Sequence, residues 1–168
     1  MSPILSRLPI LNKRIACLSN QATLKSYFHW DIPEKFNFAQ DVIDVHAKDS
    51  VKSNLTALHH MSKSTGNRKW TFQNLSNDSK NVASALLSLG KISRALIMLP
   101  RIPEWWILNI AAMRTGTILL PGTTQLTKND IESRLFMSKA DAVIVDKVGA
   151  EKIEAIDNKV SDFFEQSY

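Results

Sequence analysis

Apolar positions along the chain change period several times, and each change marks an element. Phe36, Phe38, Ala39, Val42, Ile43 and Ala47 recur every three or four residues, with Asp41, Asp44 and Lys48 between them. That spacing predicts an amphipathic helix. Residues 48–56 are polar and read as a loop. Two β-prone runs, residues 55–61 and 69–72, flank a turn-rich stretch containing Gly66-Asn67, which predicts a hairpin. From Thr71 onward the period lengthens again. Leu75, Ser79, Val82, Ala83, Leu86 and Leu87 share one helical face, Thr71 suits the N-cap and Gly90 supplies the stop.

Residues 95–99 form an unbroken apolar run closed by Pro100, as suits a strand buried on both faces. Pro103 and Glu104 open the next helix. Proline has no N–H to lose at the first helical position, and the carboxylate faces the positive end of the dipole. The body of this helix, residues 105–113, is apolar almost all round, so it is expected to be sandwiched, and Gly116 ends it. The cycle then repeats. Residues 117–120 read as a strand, and 121–124 as a turn. Thr127-Lys-Asn-Asp130 reads as a capping-box variant opening a helix that carries Ile131, Leu135 and Met137. Residues 142–145 read as a third buried strand, followed by a helix over about 150–164. Strands alternating with helices predict an α/β fold: a parallel sheet flanked by helices on both faces, joined by right-handed crossovers and preceded by a β-hairpin.

Charge changes this picture only at the start of the chain. The formal net charge is +5, from 21 basic and 16 acidic residues, yet residues 1–30 hold Arg7, Lys13, Arg14 and Lys25 and no acid. The remainder, with 17 basic residues against 16 acidic, is nearly neutral and offers no electrostatic footprint for nucleic acid. An acid-free leader with spaced cations among Leu and Ile predicts a mitochondrial transit peptide over residues 1–30, and hence the matrix as location. Residues 31–168 are then one domain, long enough for a core at 44% hydrophobic content. No window has the length and apolarity of a membrane span.

Candidate chemistry is sparse. The five glycines are too far apart for a dinucleotide fingerprint, and no Walker-type loop occurs. One cysteine, Cys17, falls in the leader, and no serine sits in a nucleophile elbow. The adjacent His59 and His60 would point to opposite sides of a strand, a poor start for a metal site. Ser64-Thr65-Gly66-Asn67-Arg68-Lys69 has the hydroxyls and cations of a phosphate loop, but it falls at the hairpin tip with no helix following it. Trp105-Trp106 reads as core rather than as a ligand wall. The segment Pro121-Gly122-Thr123-Thr124-Gln125 lies just past the carboxyl end of a parallel strand, where open α/β sheets bind ligands. From the residues alone it is either a ligand-contacting loop or a plain strand-to-helix turn.

Two segments together carry a signature: Leu99-Pro-Arg-Ile-Pro-Glu-Trp-Trp106, then Arg114-Thr-Gly116 with Leu120-Pro-Gly-Thr-Thr-Gln-Leu-Thr127. With Phe36-Asn-Phe-Ala39, Trp70-Thr-Phe72, Arg134-Leu135 and Ser138-Lys-Ala140, the chain closely resembles the mitochondrial medium-chain acyl-CoA synthetases over residues 36 to about 153. These belong to the adenylate-forming, AMP-dependent synthetase and ligase superfamily. The resemblance implies the incomplete N-terminal part of the adenylate-forming fold, with residues 31–168 a partial synthetase domain. It also implies a reaction in which a medium-chain fatty acid and ATP, with Mg2+, give an acyl-adenylate, and coenzyme A then accepts the acyl group. Gln125 matches a family residue that contacts coenzyme A, with Thr123 and Thr124 beside it.

Departures from the family also carry expectations. Before the first sheet strand the family has Gly-Asp-Arg, whereas Gly90-Lys-Ile-Ser-Arg94 here keeps only the arginine and is two residues shorter. The family's Ser/Thr/Gly-rich ATP phosphate loop, its Tyr-x-x-Thr-Glu motif, its ribose-binding aspartate and its C-terminal catalytic lysine do not occur in these 168 residues. The chain alone is therefore expected to be catalytically incompetent, since positioned phosphates and charge stabilisation carry such chemistry. The alternative expectation is a non-catalytic protein that binds coenzyme A or associates with a full-length synthetase.

Overall fold

The structure is a computed structural model that describes residues 31–156. Residues 31–35 fall in a unit separate from residues 36–168 and are exposed. The expected leader (residues 1–30, with Cys17) and the end of the expected last helix lie outside the described residues.

The second unit opens with a π-helical run, Ala39–Asp44, that continues as α1 (Val45–Lys48). Its buried residues, Ala39, Ile43 and Ala47, are part of the predicted stripe, whereas Phe36 and Phe38 are exposed. A 3-10 turn, Lys52–Asn54, lies within the expected loop, and the amides of Val51 and Lys52 at its start donate to Asp49 Oδ1. β1 (Thr56–Ser62) and β2 (Gly66–Thr71) then form the predicted antiparallel hairpin, with His59 opposite Lys69 and Ser62 opposite Gly66. The amides of Ser64 and Thr65 both donate to Ser62 Oγ, so the polar tip is consumed in making the turn.

α2 (Phe72–Ser88) starts where Thr71 and Asn74 cap one another reciprocally, which satisfies two orphan donors of the first turn. β3 (Arg94–Met98), α3 (Pro103–Thr115), β4 (Ile118–Pro121), α4 (Lys128–Ser138), β5 (Ala142–Val145) and α5 (Lys147–Glu154) follow. α3 ends at Gly116, whose φ of 76° is a left-handed conformation that glycine adopts without a side-chain clash.

β4, β3 and β5 form a parallel sheet in that order, with Leu96 level with both Leu120 and Val143. Period-two alternation sends successive β3 side chains to opposite faces. On one face Leu96 and Met98 pack with Ile131 and Leu135 of α4 and with Ile156. On the other, Ile144 (level with Ile97) packs against Ala83 and Leu86 of α2 and Ala111 of α3. A further apolar cluster, Ala39, Ile43, Leu75, Ile107 and Ile110, joins the first helix to α2 and α3, with Ala57 and Trp70 of the hairpin against it. The architecture is the α/β sheet flanked by helices that the periodicities predict.

Four local expectations change. β5 is half-buried along its length because, among the described residues, it lies at a sheet edge with no strand on its outer side. α3 is not sandwiched: Trp106 is 55% exposed, and Met113, seven residues on, shares that outward face, while Ile107, Ile110 and Ala111 turn inward. Met137 is 79% exposed, since it stands about 240° round the helix from the buried Ile131. α5 begins at Lys147 rather than at 150, because Asp146 Oδ1 accepts the Gly149 amide at 2.8 Å and so caps it earlier.

Candidate functional site

The loop between β4 and α4 is built from three anchors. The Gly122 amide donates to the Ile97 carbonyl at 2.8 Å, extending the β3–β4 ladder by one residue. A Cβ at Gly122 would lie 2.9 Å from Leu126 Cδ1 and 3.0 Å from Met98 Cγ, so a larger residue would have to displace these side chains, and glycine lets strand and loop pack closely. Leu126, the second anchor, is buried in the cluster with Leu96 and Met98. Its amide donates to the Thr123 carbonyl at 3.2 Å, and the Gln125 amide donates to Thr123 Oγ1 at 3.3 Å. The third is the start of α4, where Thr127 and Asp130 form a reciprocal capping box. The Thr127 hydroxyl and amide hold the Asp130 carboxyl below its ordinary pKa.

Between these anchors Thr123, Thr124 and Gln125 are all exposed. The side-chain amide of Gln125, able to donate and to accept, has no partner among the described residues. Lys152 of α5 reaches back to the same loop: Nζ donates to the carbonyls of Thr124 at 2.7 Å and Leu126 at 3.1 Å. Thr124, Leu126 and Lys152 line a cleft of about 230 Å³ together with Met98, Asp146 and Gly149, at the carboxyl ends of β3 and β5. This is the end of a parallel sheet at which ligands bind. Gln125 stands between two of these lining residues, Thr124 and Leu126, and does not itself line the cleft. Lys152 was missed, because its contact spans more than two dozen residues and leaves no local pattern.

The other candidates settle into structural surroundings. His59 is exposed and His60 half-buried on β1, and both border a cleft of about 400 Å³ with Leu58, Leu99, Arg101 and Trp106. Trp105 and Trp106 meet edge to face, 4.8 Å between centroids. Arg68 lies 5.1 Å over the Trp70 ring and 3.5 Å from Glu104. Arg114, a signature residue of the sequence, ties helices together through Asp44. Among the described residues no three His, Cys, Asp or Glu side chains converge to hold a metal ion. None of the described helices is long and apolar enough to cross a membrane.

The sequence and fold of this region recur in known proteins. Residues 45–165 match the family model described as AMP-binding enzyme. Over 147 residues the chain is 40% identical to the mitochondrial acyl-coenzyme A synthetase ACSM3 of Homo sapiens, covering 84% of this chain and 25% of that protein. The chain belongs to the AMP-binding enzyme family. The mitochondrial acyl-coenzyme A synthetase ACSM2 of Rattus norvegicus is likewise 40% identical, over 134 residues, covering 76% of this chain and 23% of its relative. The chain thus spans about a quarter of the length of the curated relatives it matches. Among solved structures, an acyl-CoA synthetase of Brucella canis superposes with a TM-score of 0.64 at 24% identity, covering 82% of this chain and 25% of that one. The N-terminal domain of FACL13 from Mycobacterium tuberculosis gives 0.64 at 24% identity, over 74% of this chain and 30% of that one. These last two likenesses establish the fold.

Proposed function

We propose that this chain is a piece of a mitochondrial acyl-CoA synthetase acting on medium-chain fatty acids, and that its β4–α4 loop faces coenzyme A through Gln125. One observation carries this reading. In a member of the AMP-binding family, a loop pinned at Gly122, Leu126 and Thr127 leaves three polar residues exposed at the ligand-binding end of a parallel sheet. A planar amide with both donor and acceptor free suits the hydroxyl, amide and phosphate groups of coenzyme A. Titration calorimetry on the 168-residue chain tests it: coenzyme A binds, and Gln125→Ala weakens binding about five-fold, as loss of roughly 1 kcal/mol of hydrogen bonding requires. Equal affinity in the variant would remove Gln125 from the site.

Acid activation needs more than these residues offer. The chain has none of the family's ATP phosphate loop, Tyr-x-x-Thr-Glu motif, ribose-binding aspartate or catalytic lysine in its 168 residues. On its own it is therefore expected to give no ATP–pyrophosphate exchange with butyrate through decanoate, and a robust acid-dependent signal would refute this. The acid-free, cationic residues 1–30 support import into the matrix. Residues 1–35 fused to a fluorescent protein should reach mitochondria; a diffuse cytosolic signal would count against a transit peptide.

A further inference from the structure

Lys152 is an unusual lysine in this fold, because two of its three donors are spent on backbone carbonyls of a loop far away in sequence. The two carbonyls it takes, Thr124 and Leu126, lie on either side of Gln125. An ammonium holding both fixes the orientation of the peptide planes between them, and with them the direction in which the Gln125 side chain leaves the backbone. Without such a donor, the exposed segment keeps only the Thr123–Leu126 turn bond and the long Thr123 hydroxyl contact.

The position of Lys152 is itself built in. Gly149 is buried, and a Cβ there would lie 2.6 Å from Val145 Cβ, so the first turn of α5 packs directly on the end of β5. Asp146 caps that turn through the Gly149 amide. Lys152 stands three residues on, on the same side of the helix as Gly149. Ile153 and Ile156 meanwhile enter the apolar cluster that also holds Leu126. Helix and loop therefore share a core, with the lysine bridging them at its rim.

We propose that Lys152 is a positioning residue for the β4–α4 loop: it locks the backbone of residues 124–126 and so sets how Gln125 is presented to coenzyme A. The consequence for coenzyme A rests on the function proposed above, whereas the lock itself does not. Two measurements on the 168-residue chain separate them. In hydrogen exchange, Lys152→Ala should accelerate the Gln125 and Leu126 amides about ten-fold while amides of β3 keep their protection, and Lys152→Arg should restore most of the protection. Unaltered exchange at those amides overturns the lock, whatever happens to binding.

In calorimetry with coenzyme A and with 3′-dephospho-coenzyme A, Lys152→Ala should weaken binding of both about five-fold. In the Gln125→Ala background the same change should cost almost nothing, because a residue acting through Gln125 has nothing left to act through. Additive losses, or a loss seen only with the 3′-phosphate present, would instead make Lys152 a direct contact and overturn the positioning role. If the wild-type chain binds no coenzyme A while Lys152→Ala still frees the loop, the lock stands and the reading of the loop as a coenzyme A site falls.

Discussion

Nε of Arg114 donates to Ser79 Oγ at 3.1 Å, while Nη1 and Nη2 reach the two carboxyl oxygens of Asp44 at 2.9 and 2.7 Å. Asp44 also accepts from Ser76 at 2.6 Å and lies 3.4 Å from Lys80. Both partner side chains are only 13% exposed. The bidentate Arg114 hydrogen bonds, opposed by desolvation and helped by Ser76 and by the nearby cations, hold the Asp44 carboxyl far below its ordinary 3.8. Folding therefore favours the carboxylate. Its contribution is complete above the unfolded value near pH 4 and is lost as pH falls below it. Asp44→Asn is expected to cost about 3 kcal/mol at pH 7, mainly by leaving the Arg114 charge half-enclosed without its partner. In denaturant titrations, the gap between the variant and wild type should narrow steadily below pH 4; a gap constant down to pH 2 would reject this account. No spacing in the sequence announces the pair, because its members are seventy residues apart. Its one trace is the run of buried serines, Ser76 and Ser79, on a face of α2 that periodicity alone would fill with apolar residues.

Element ends were the most legible level of the structure, since the chemistry of a cap is local. Thr71, Thr127, Pro103 and Gly116 each sit where their side-chain or backbone preference places them. The interior of α3 was less legible: an apolar run reports that a helix is hydrophobic, not which of its faces finds a partner, and Trp106 faces outward. The β4–α4 loop was legible in position because Gly122 and Thr127 bracket it, but its clamp by Lys152 depends on a helix that sequence placed three residues too late. Two predictions belong to this scale. Thr127→Ala removes the hydroxyl that accepts the Asp130 amide and should cost about 1 kcal/mol of stability by urea denaturation. Gly149→Ala puts a methyl against Val145 and should destabilise by about 1–3 kcal/mol. It should also accelerate exchange at the Gln125 amide, because α5 and its lysine are forced off the strand. Exchange left at the wild-type rate would show that the helix seat does not govern the loop.

Across the whole of the described domain, the sheet is well filled at its centre and thinly covered at its sides. Ala95 to Met98 of β3 are buried, whereas β4 and β5 form the edges among the described residues, and Ile118 on β4 is 57% exposed. An edge strand offers unpaired backbone donors and acceptors, and proteins ordinarily guard such edges with charge, proline or a covering element. β4 carries Pro121 at its end and no charged residue along its length, so guarding is confined to one position. Apolar side chains beside free backbone groups favour pairing with a second chain as concentration rises. The isolated 168-residue chain is therefore expected to self-associate reversibly in sedimentation velocity as its concentration is raised through the micromolar range. Ile118→Lys puts a charge on that edge without touching the buried centre of the sheet, and it should shift the distribution back toward monomer. Wild type and variant sedimenting alike at every concentration would mean that β4 is not the adhesive edge. The same change on the opposite edge, Ile144→Lys, would bury its charge against Ala83, Leu86 and Ala111 and should unfold the domain instead. The two strands flank β3 with the same polarity, yet only the β4 substitution should be tolerated.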